Sequence, residues 1–83
     1  MVKNSEIPEM GGYARAVAGA VKAAMEAGGL SGAALARHMG RAQSYVSLRI
    51  QGRRAWTTDE VDTIAHLLHI DVDELWSSVQ KHR

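Results

Sequence analysis

Apolar residues in this chain recur at helical rather than strand spacing. The first stripe has members four residues apart: Tyr13, Val17, Val21 and Met25. This interval places them on one face of a helix, which we predict over residues 13–27. The pair Gly28–Gly29 follows, and glycine favours a helix end because it adopts the left-handed backbone conformation without steric cost.

Two shorter helices are predicted next. Ser31 is a suitable N-cap for one that stops at Gly40, after barely two turns. The other is predicted over residues 42–51, and Val46 and Ile50, one turn apart, form its inner side.

Two capping signals predict the last two helices. Thr57 and Glu60 have the spacing of a capping box, and Asp71 and Glu74 repeat it. Apolar residues at helical spacing follow the first box: Val61, Ile64, Ala65 and Leu68. Others follow the second: Leu75, Trp76 and Val79. The pattern therefore predicts a compact all-α domain of five helices without a strand.

The domain organisation follows from length and from the ends of the pattern. A chain of 83 residues makes one domain, which buries about 60–65% of the surface that the unfolded chain exposes. Residues 1–12 hold the only proline and a Gly-Gly pair without periodicity, so we expect a flexible arm there, with Lys3 as its only basic residue. Residues 13–79 form the predicted domain, and residues 80–83 a tail.

Charge is strongly segregated, although the formal net charge is only +1. The stretch between Glu26 and Asp59 has no acidic residue. It carries five arginines: Arg37, Arg41, Arg49, Arg53 and Arg54. Acidic residues then dominate as far as Lys81. A basic segment in a small domain indicates either a surface that binds a polyanion or an ordinary solvated face.

The second and third predicted helices have the steric pattern of a helix-turn-helix. Helices that cross at a tight turn need a small residue where they approach and a glycine where the chain reverses, here Ala36 and Gly40. Leu35, Met39 and Val46 fill the wedge between them. With Val46 turned inward, the outward side presents Gln43, Ser44, Ser47 and Leu48. A DNA-reading helix presents such a surface to base edges.

This arrangement resembles the lambda-repressor-like, Cro-type helix-turn-helix family of phage repressors and bacterial regulators. The resemblance spans residues 30–75 and rests on four strings: Leu35-Ala36-Arg37-His38-Met39-Gly40, Ser44-Tyr45-Val46-Ser47, Gly52-Arg53-Arg54 with Trp56, and Ile70-Asp71-Val72-Asp73-Glu74-Leu75. It implies a five-helix domain whose third helix reads the major groove while neighbouring helix ends and loops hold phosphates. The version at residues 49–56 is similar to one from actinobacteria and their phages, which implies an immunity repressor or a Cro-like protein.

Four positions depart from the family pattern. Gly32 stands where relatives often have a phosphate-binding glutamine, and Ala42 replaces a Ser/Thr cap, at a cost of about 1 kcal/mol. Arg41 and Arg49 replace apolar residues. We therefore expect phosphate anchoring to shift towards Arg41 and the Arg53–Arg54 pair.

The DNA contacts expected of individual residues fall into two groups. Gln43 is expected to pair with adenine through its amide, Ser44 and Ser47 to contact base edges, and Leu48 a thymine methyl. Phosphate or minor-groove contacts are expected from Arg37, Arg41, Tyr45, Arg49, Arg53 and Arg54.

Four aromatic or basic residues have more than one possible role. Tyr45 either bonds a phosphate or shields the helix junction. Arg49 reaches a base or a phosphate, or lies over the acidic start of the fourth helix near Asp59. Trp56 and Trp76 are interpreted as core residues rather than base-stacking platforms.

The expected partner is double-stranded DNA, bound by a monomer or by a homodimer that uses an exposed flank of Leu75, Trp76 and Val79. The alternative function is a protein-interaction module, antitoxin-like or anti-repressor, whose basic loop binds an acidic partner.

Other functional classes find little support. The chain has no cysteine, and Asp62, His66 and His69 lack a fourth ligand, so we expect no metal and no cofactor. No phosphate-binding loop, nucleophile elbow or paired-carboxylate signature points to an enzyme, and no small-molecule ligand is indicated. Without a signal peptide or a membrane-length apolar run, we expect a cytoplasmic protein.

Overall fold

The computed structural model describes residues 11–83, so the predicted arm, including Lys3, lies outside it except for Gly11 and Gly12. Within those residues there are five α-helices and no strand, which confirms the all-α prediction. The helices are α1 (Gly12–Gly28), α2 (Gly32–Met39), α3 (Gln43–Ile50), α4 (Thr58–Leu68) and α5 (Val72–Ser78), followed by a 3₁₀ helix (Val79–His82).

The predicted N-caps of α2 and α4 are confirmed. Ser31 Oγ accepts a hydrogen bond from the Ala34 amide at 3.1 Å. At α4, the Thr57 hydroxyl accepts from the Glu60 amide at 3.1 Å, while the Glu60 carboxylate accepts from the Thr57 amide at 2.8 Å. These reciprocal bonds satisfy two amides that the helix itself leaves unpaired, which fixes where α4 begins.

Left-handed glycines end α1 and α2. Gly29 has φ 71° and Gly40 has φ 65°, and both were predicted as helix stops. At Gly40 the chain turns so sharply that three residues suffice to reach α3. A residue with a Cβ at this position costs about 1–2 kcal/mol, which explains the need for glycine.

The connection between α4 and α5 differs from the prediction. His69, the C-cap of α4, adopts φ 58° although it is not glycine. Asp71 caps α5, but its carboxylate accepts from the Asp73 amide at 2.8 Å. The predicted capping box required a bond from the Glu74 amide, which is one residue further on. That part of the prediction is wrong, although α5 begins where it was predicted.

The core surrounds α1, which packs against α3, α4, α5 and the 3₁₀ helix. Val17, Val21 and Met25 are buried as predicted. Tyr13, at the start of the same stripe, is not: its side chain is 46% exposed, and Arg83 lies over its ring at 5.3 Å. Trp56 belongs to the core, as predicted.

The predicted exposed flank for dimerisation is wrong. Leu75 is only 3% exposed and Val79 1%, and Trp76 is half-buried against the core. Residues 80–83, the predicted tail, include most of the 3₁₀ helix, which packs on α1. Small residues on α1 allow this close approach: a Cβ on Gly19 would lie 3.1 Å from the His82 ring.

Candidate nucleic-acid interface

Helices α2 and α3 form the predicted helix-turn-helix. Leu35, Ala36 and Val46 are buried where the two helices meet, and Met39 is half-buried beside them. In the turn, the Arg41 amide donates to the Ala36 carbonyl at 3.0 Å. The steric framework inferred from small and apolar residues is therefore present.

The polar residues predicted to read bases gather at the start of α3. Gln43 and Ser44 are exposed and Ser47 is half-exposed. All three line an open groove of about 480 Å³, together with Gly32 at the start of α2. Leu48 is half-exposed, and its position two residues after the buried Val46 puts it on the outer side of α3.

Three residues near the end of α3 were missed by sequence reasoning. Gln51 is exposed, lines the same groove and donates from Nε2 to the Ser47 hydroxyl at 2.8 Å. Arg15 and Lys22 of α1 line an adjacent open groove with Gln51 and Gly52. The i,i+4 spacing from Ser47 could have identified Gln51, whereas the two α1 residues lie outside the basic segment and only folding brings them to α3.

Four of the predicted phosphate-binding arginines are exposed: Arg37, Arg41, Arg53 and Arg54. The loop carrying the last two is tied to α3, since the amides of Arg53 and Arg54 donate to the Leu48 carbonyl at 2.9 and 3.3 Å. Arg41, at the other end of α3, lies over the Tyr45 ring at 4.7 Å. Exposed cations thus stand at both ends of α3.

Tyr45, Arg49 and Glu60 form a polar cluster between α3 and α4, here called the Glu60 cluster. The Tyr45 hydroxyl donates to Glu60 Oε2 at 2.5 Å. Arg49 Nε lies 3.8 Å from Glu60 Oε1. Arg49 also stacks on the Tyr45 ring at 3.5 Å and donates from Nη1 to the Tyr45 carbonyl at 2.9 Å. Glu60, only 8% exposed, is thus a buried charge with specific partners.

Burial and hydrogen bonding have opposite effects on the pKa of Glu60. Burial by itself would raise its pKa, because the charged form loses hydration. Hydrogen bonds from Thr57 and Tyr45, with the charge of Arg49, outweigh burial and hold the pKa below its ordinary value. The same hydrogen bond to Glu60, followed by burial, raises the pKa of Tyr45. At neutral pH the cluster therefore contains a carboxylate and a protonated phenol.

The structure thus directs two predicted phosphate ligands inward. Tyr45 lies at the junction of α3 and α4, which is the second of its predicted roles. Arg49 lies at the acidic start of α4, as one of its alternatives held, but its carboxylate partner is Glu60 rather than Asp59. In this conformation the Tyr45 hydroxyl and the Arg49 guanidinium serve internal contacts instead of a phosphate.

The histidines of α4 form a local pair. His66 Nδ1 lies 2.9 Å from the Asp62 carbonyl and 3.6 Å from its carboxylate. His69 is exposed. Across residues 11–83 no three His, Asp or Glu side chains are grouped to hold a metal ion. None of the helices there has the length and hydropathy to cross a bilayer.

Comparison of the chain with models of known protein families, with curated proteins and with solved structures finds no match.

Proposed function

We propose that this protein is a sequence-specific regulator that binds double-stranded DNA with α3 in the major groove. The observation that carries this proposal is the clustering of Gln43, Ser44 and Ser47 in one open groove at the start of a short helix. Polar amides and hydroxyls in such a position can read base edges, where each base pair has a distinct donor and acceptor pattern.

Gln43 is the proposed principal base contact. It is the first residue of α3 and is exposed, so its amide is available to donate to adenine N7 and accept from N6. Ser44 and Ser47 are proposed to contact neighbouring bases. Gln51 holds the Ser47 hydroxyl through its own donor, which leaves the serine proton for an acceptor on a base.

Phosphate anchoring is proposed at both ends of α3. This helix has eight residues and is about 12 Å long, close to the width of the major groove. Arg41 precedes it, and Arg53 and Arg54 follow it, so cations flank the helix at both ends and are proposed to contact phosphates there. Ala42 offers no side-chain cap, so the first amides of α3 are also available to a phosphate.

The proposed biological role is repression, by excluding polymerase or other proteins from the bound site, as in phage immunity or Cro-like repressors. A homodimer would bind half-sites one helical turn apart. Leu75 and Val79 are buried, so the surface that was predicted to form the homodimer is not exposed. The symmetry of the preferred DNA site distinguishes a monomer from a dimer, because a dimer selects a palindrome.

The experiment begins with selection of binding sites from a random duplex pool, followed by titration of the selected and a scrambled duplex at several salt concentrations. We expect a preferred sequence and an affinity that falls steeply with salt. Binding without either property would contradict the proposal and favour the protein-interaction alternative.

Variants test the proposed base contact. Gln43→Ala should cost about 1–3 kcal/mol on the selected site and relax preference at one or two positions. Gln80→Ala is a matched control, because Gln80 is an exposed glutamine in the 3₁₀ helix, away from α3. An unchanged preference in Gln43→Ala would show that α3 is not oriented as proposed.

A further inference from the structure

One arginine of the basic segment is mostly turned away from solvent. The Arg49 side chain is 16% exposed, whereas Arg41 and Arg53, on either side of it in sequence, are exposed. It is turned towards Glu60 and stacked on Tyr45. The basic charge of α3 that DNA would meet is therefore smaller than the sequence implies.

The internal contacts of Arg49 leave one of its donors without a hydrogen bond. Its Nε is buried without a hydrogen-bond partner, because the 3.8 Å separation from Glu60 Oε1 exceeds hydrogen-bond distance. A guanidinium has five N–H donors in a planar fork, and a phosphate can accept two of them together. If Glu60 did not fix its position, Arg49 would be able to turn outward, and a DNA phosphate would then satisfy the donor that its internal partners leave unpaired.

Glu60 itself is firmly held. Its Oε1 accepts from the Thr57 amide at 2.8 Å, as part of the capping box of α4, and its Oε2 accepts from the Tyr45 hydroxyl at 2.5 Å. The carboxylate therefore cannot leave without breaking the start of α4. Its negative charge remains fixed beside α3 and competes with any phosphate for Arg49.

We propose that Glu60 is a positioning residue that withholds Arg49 from DNA and so limits sequence-independent binding. This inference rests on the proposed function. Each phosphate that a cation neutralises adds affinity for any duplex and steepens the salt dependence by about 0.9 in log–log slope. Withholding one cation lowers this sequence-independent affinity. It leaves the proposed base contacts unchanged, because Gln43 and Ser44 lie in the groove beside α2.

Glu60→Gln tests the proposal, since the amide keeps the shape of the carboxylate. Its oxygen can still accept from the Thr57 amide, and its NH2 group can donate to the Tyr45 hydroxyl oxygen. With the charge removed, only the stacking on Tyr45 and the hydrogen bond to the Tyr45 carbonyl hold Arg49, so its guanidinium turns more readily towards a phosphate. On a short scrambled duplex we expect a roughly threefold to tenfold higher affinity and a salt slope steeper by about 0.9. Glu60→Gln combined with Arg49→Met should restore the wild-type slope. A purely structural role for Glu60 would instead lower affinity in proportion to the folded fraction, measured by circular dichroism.

Arg49→Met in the wild-type background gives a second test that does not depend on how Glu60→Gln folds. Because Arg49 is withheld, this variant should keep the wild-type salt slope, whereas Arg53→Ala should lower it by about 0.9. If Arg49→Met lowers the slope as much as Arg53→Ala, or Glu60→Gln folds without steepening it, the inference is wrong. If the wild-type protein binds no duplex at all, the proposed function itself fails.

Discussion

Tyr45→Phe isolates the hydrogen bond that joins α3 to α4. The substitution removes the hydroxyl that donates to Glu60 at 2.5 Å and keeps the ring on which Arg49 stacks. Glu60 retains its capping bonds with Thr57, so the start of α4 is not directly altered. Any loss of stability therefore reports mainly on this one bond.

The expected loss is about 2 kcal/mol. Hydrogen bonds to charged groups contribute about 1.5–3 kcal/mol, and the middle of that range is appropriate because the bond is only partly buried. For a domain of this size, 2 kcal/mol corresponds to a fall in Tm of roughly 10 °C. The assay is urea and thermal unfolding followed by far-ultraviolet circular dichroism.

The pH dependence adds a sharper test. The folded-state pKa of Glu60 is lowered, so its contribution to stability is complete above its unfolded pKa of about 4.3 and is lost as pH falls through the lowered value. Tyr45→Phe removes one cause of the lowering. The variant should therefore gain less stability from ionisation of Glu60, and its difference from wild type should narrow as pH falls below about 4.3 and through the lowered pKa of Glu60.

Tyr13→Phe is the matched control, because Tyr13 is exposed and its ring contacts only Arg83 among the described aromatic contacts, at 5.3 Å. It should change stability by less than about 0.5 kcal/mol. The reasoning is refuted if Tyr45→Phe behaves like this control, or if its penalty is the same at pH 7 and in acid.

Two further substitutions test the turn and the C-terminal packing. Gly40→Ala should cost about 1–2 kcal/mol in urea unfolding because of the positive φ, whereas Gly12→Ala, at the open start of α1, should be neutral or slightly stabilising. Val79→Ala should cost about 2 kcal/mol in the same assay, through two buried methyl groups and the space they leave. Equal stability of Val79→Ala and the exposed control Gln80→Ala would mean that the 3₁₀ helix is not part of the cooperative core.

The sequence predicted those parts of the fold that depend on neighbouring residues. The Ser31 cap, the Thr57–Glu60 box and the Gly40 turn each involve residues within four positions of one another, so spacing alone identifies them. The groove residues Gln43 and Ser44 were found for a similar reason: once Val46 is placed inside, helical geometry puts them outside.

Features that depend on contacts between distant segments were not predictable in the same way. Tyr45 and Glu60 are fifteen residues apart, and their hydrogen bond depends on how α3 meets α4. Glu60 could be assigned its capping role from spacing, but not its second role as the partner of Tyr45. The burial of Val79 requires a partner surface on α1 whose small residues carry little hydrophobic signal. Periodicity identifies an apolar face but not the element that covers it.

The anchoring of α3 explains why its two sides should respond differently to substitution. An isolated eight-residue helix is unstable, α3 has no side-chain cap, and Val46 is its only fully buried residue. On one side it is held to α4 by the Glu60 cluster, while the other faces the open groove of Gln43 and Ser44. Substitutions in the Glu60 cluster should therefore lower the free energy of unfolding, whereas those in the groove should change DNA preference at nearly constant stability. Under the proposed function, stability and sequence reading therefore depend on opposite sides of one short helix.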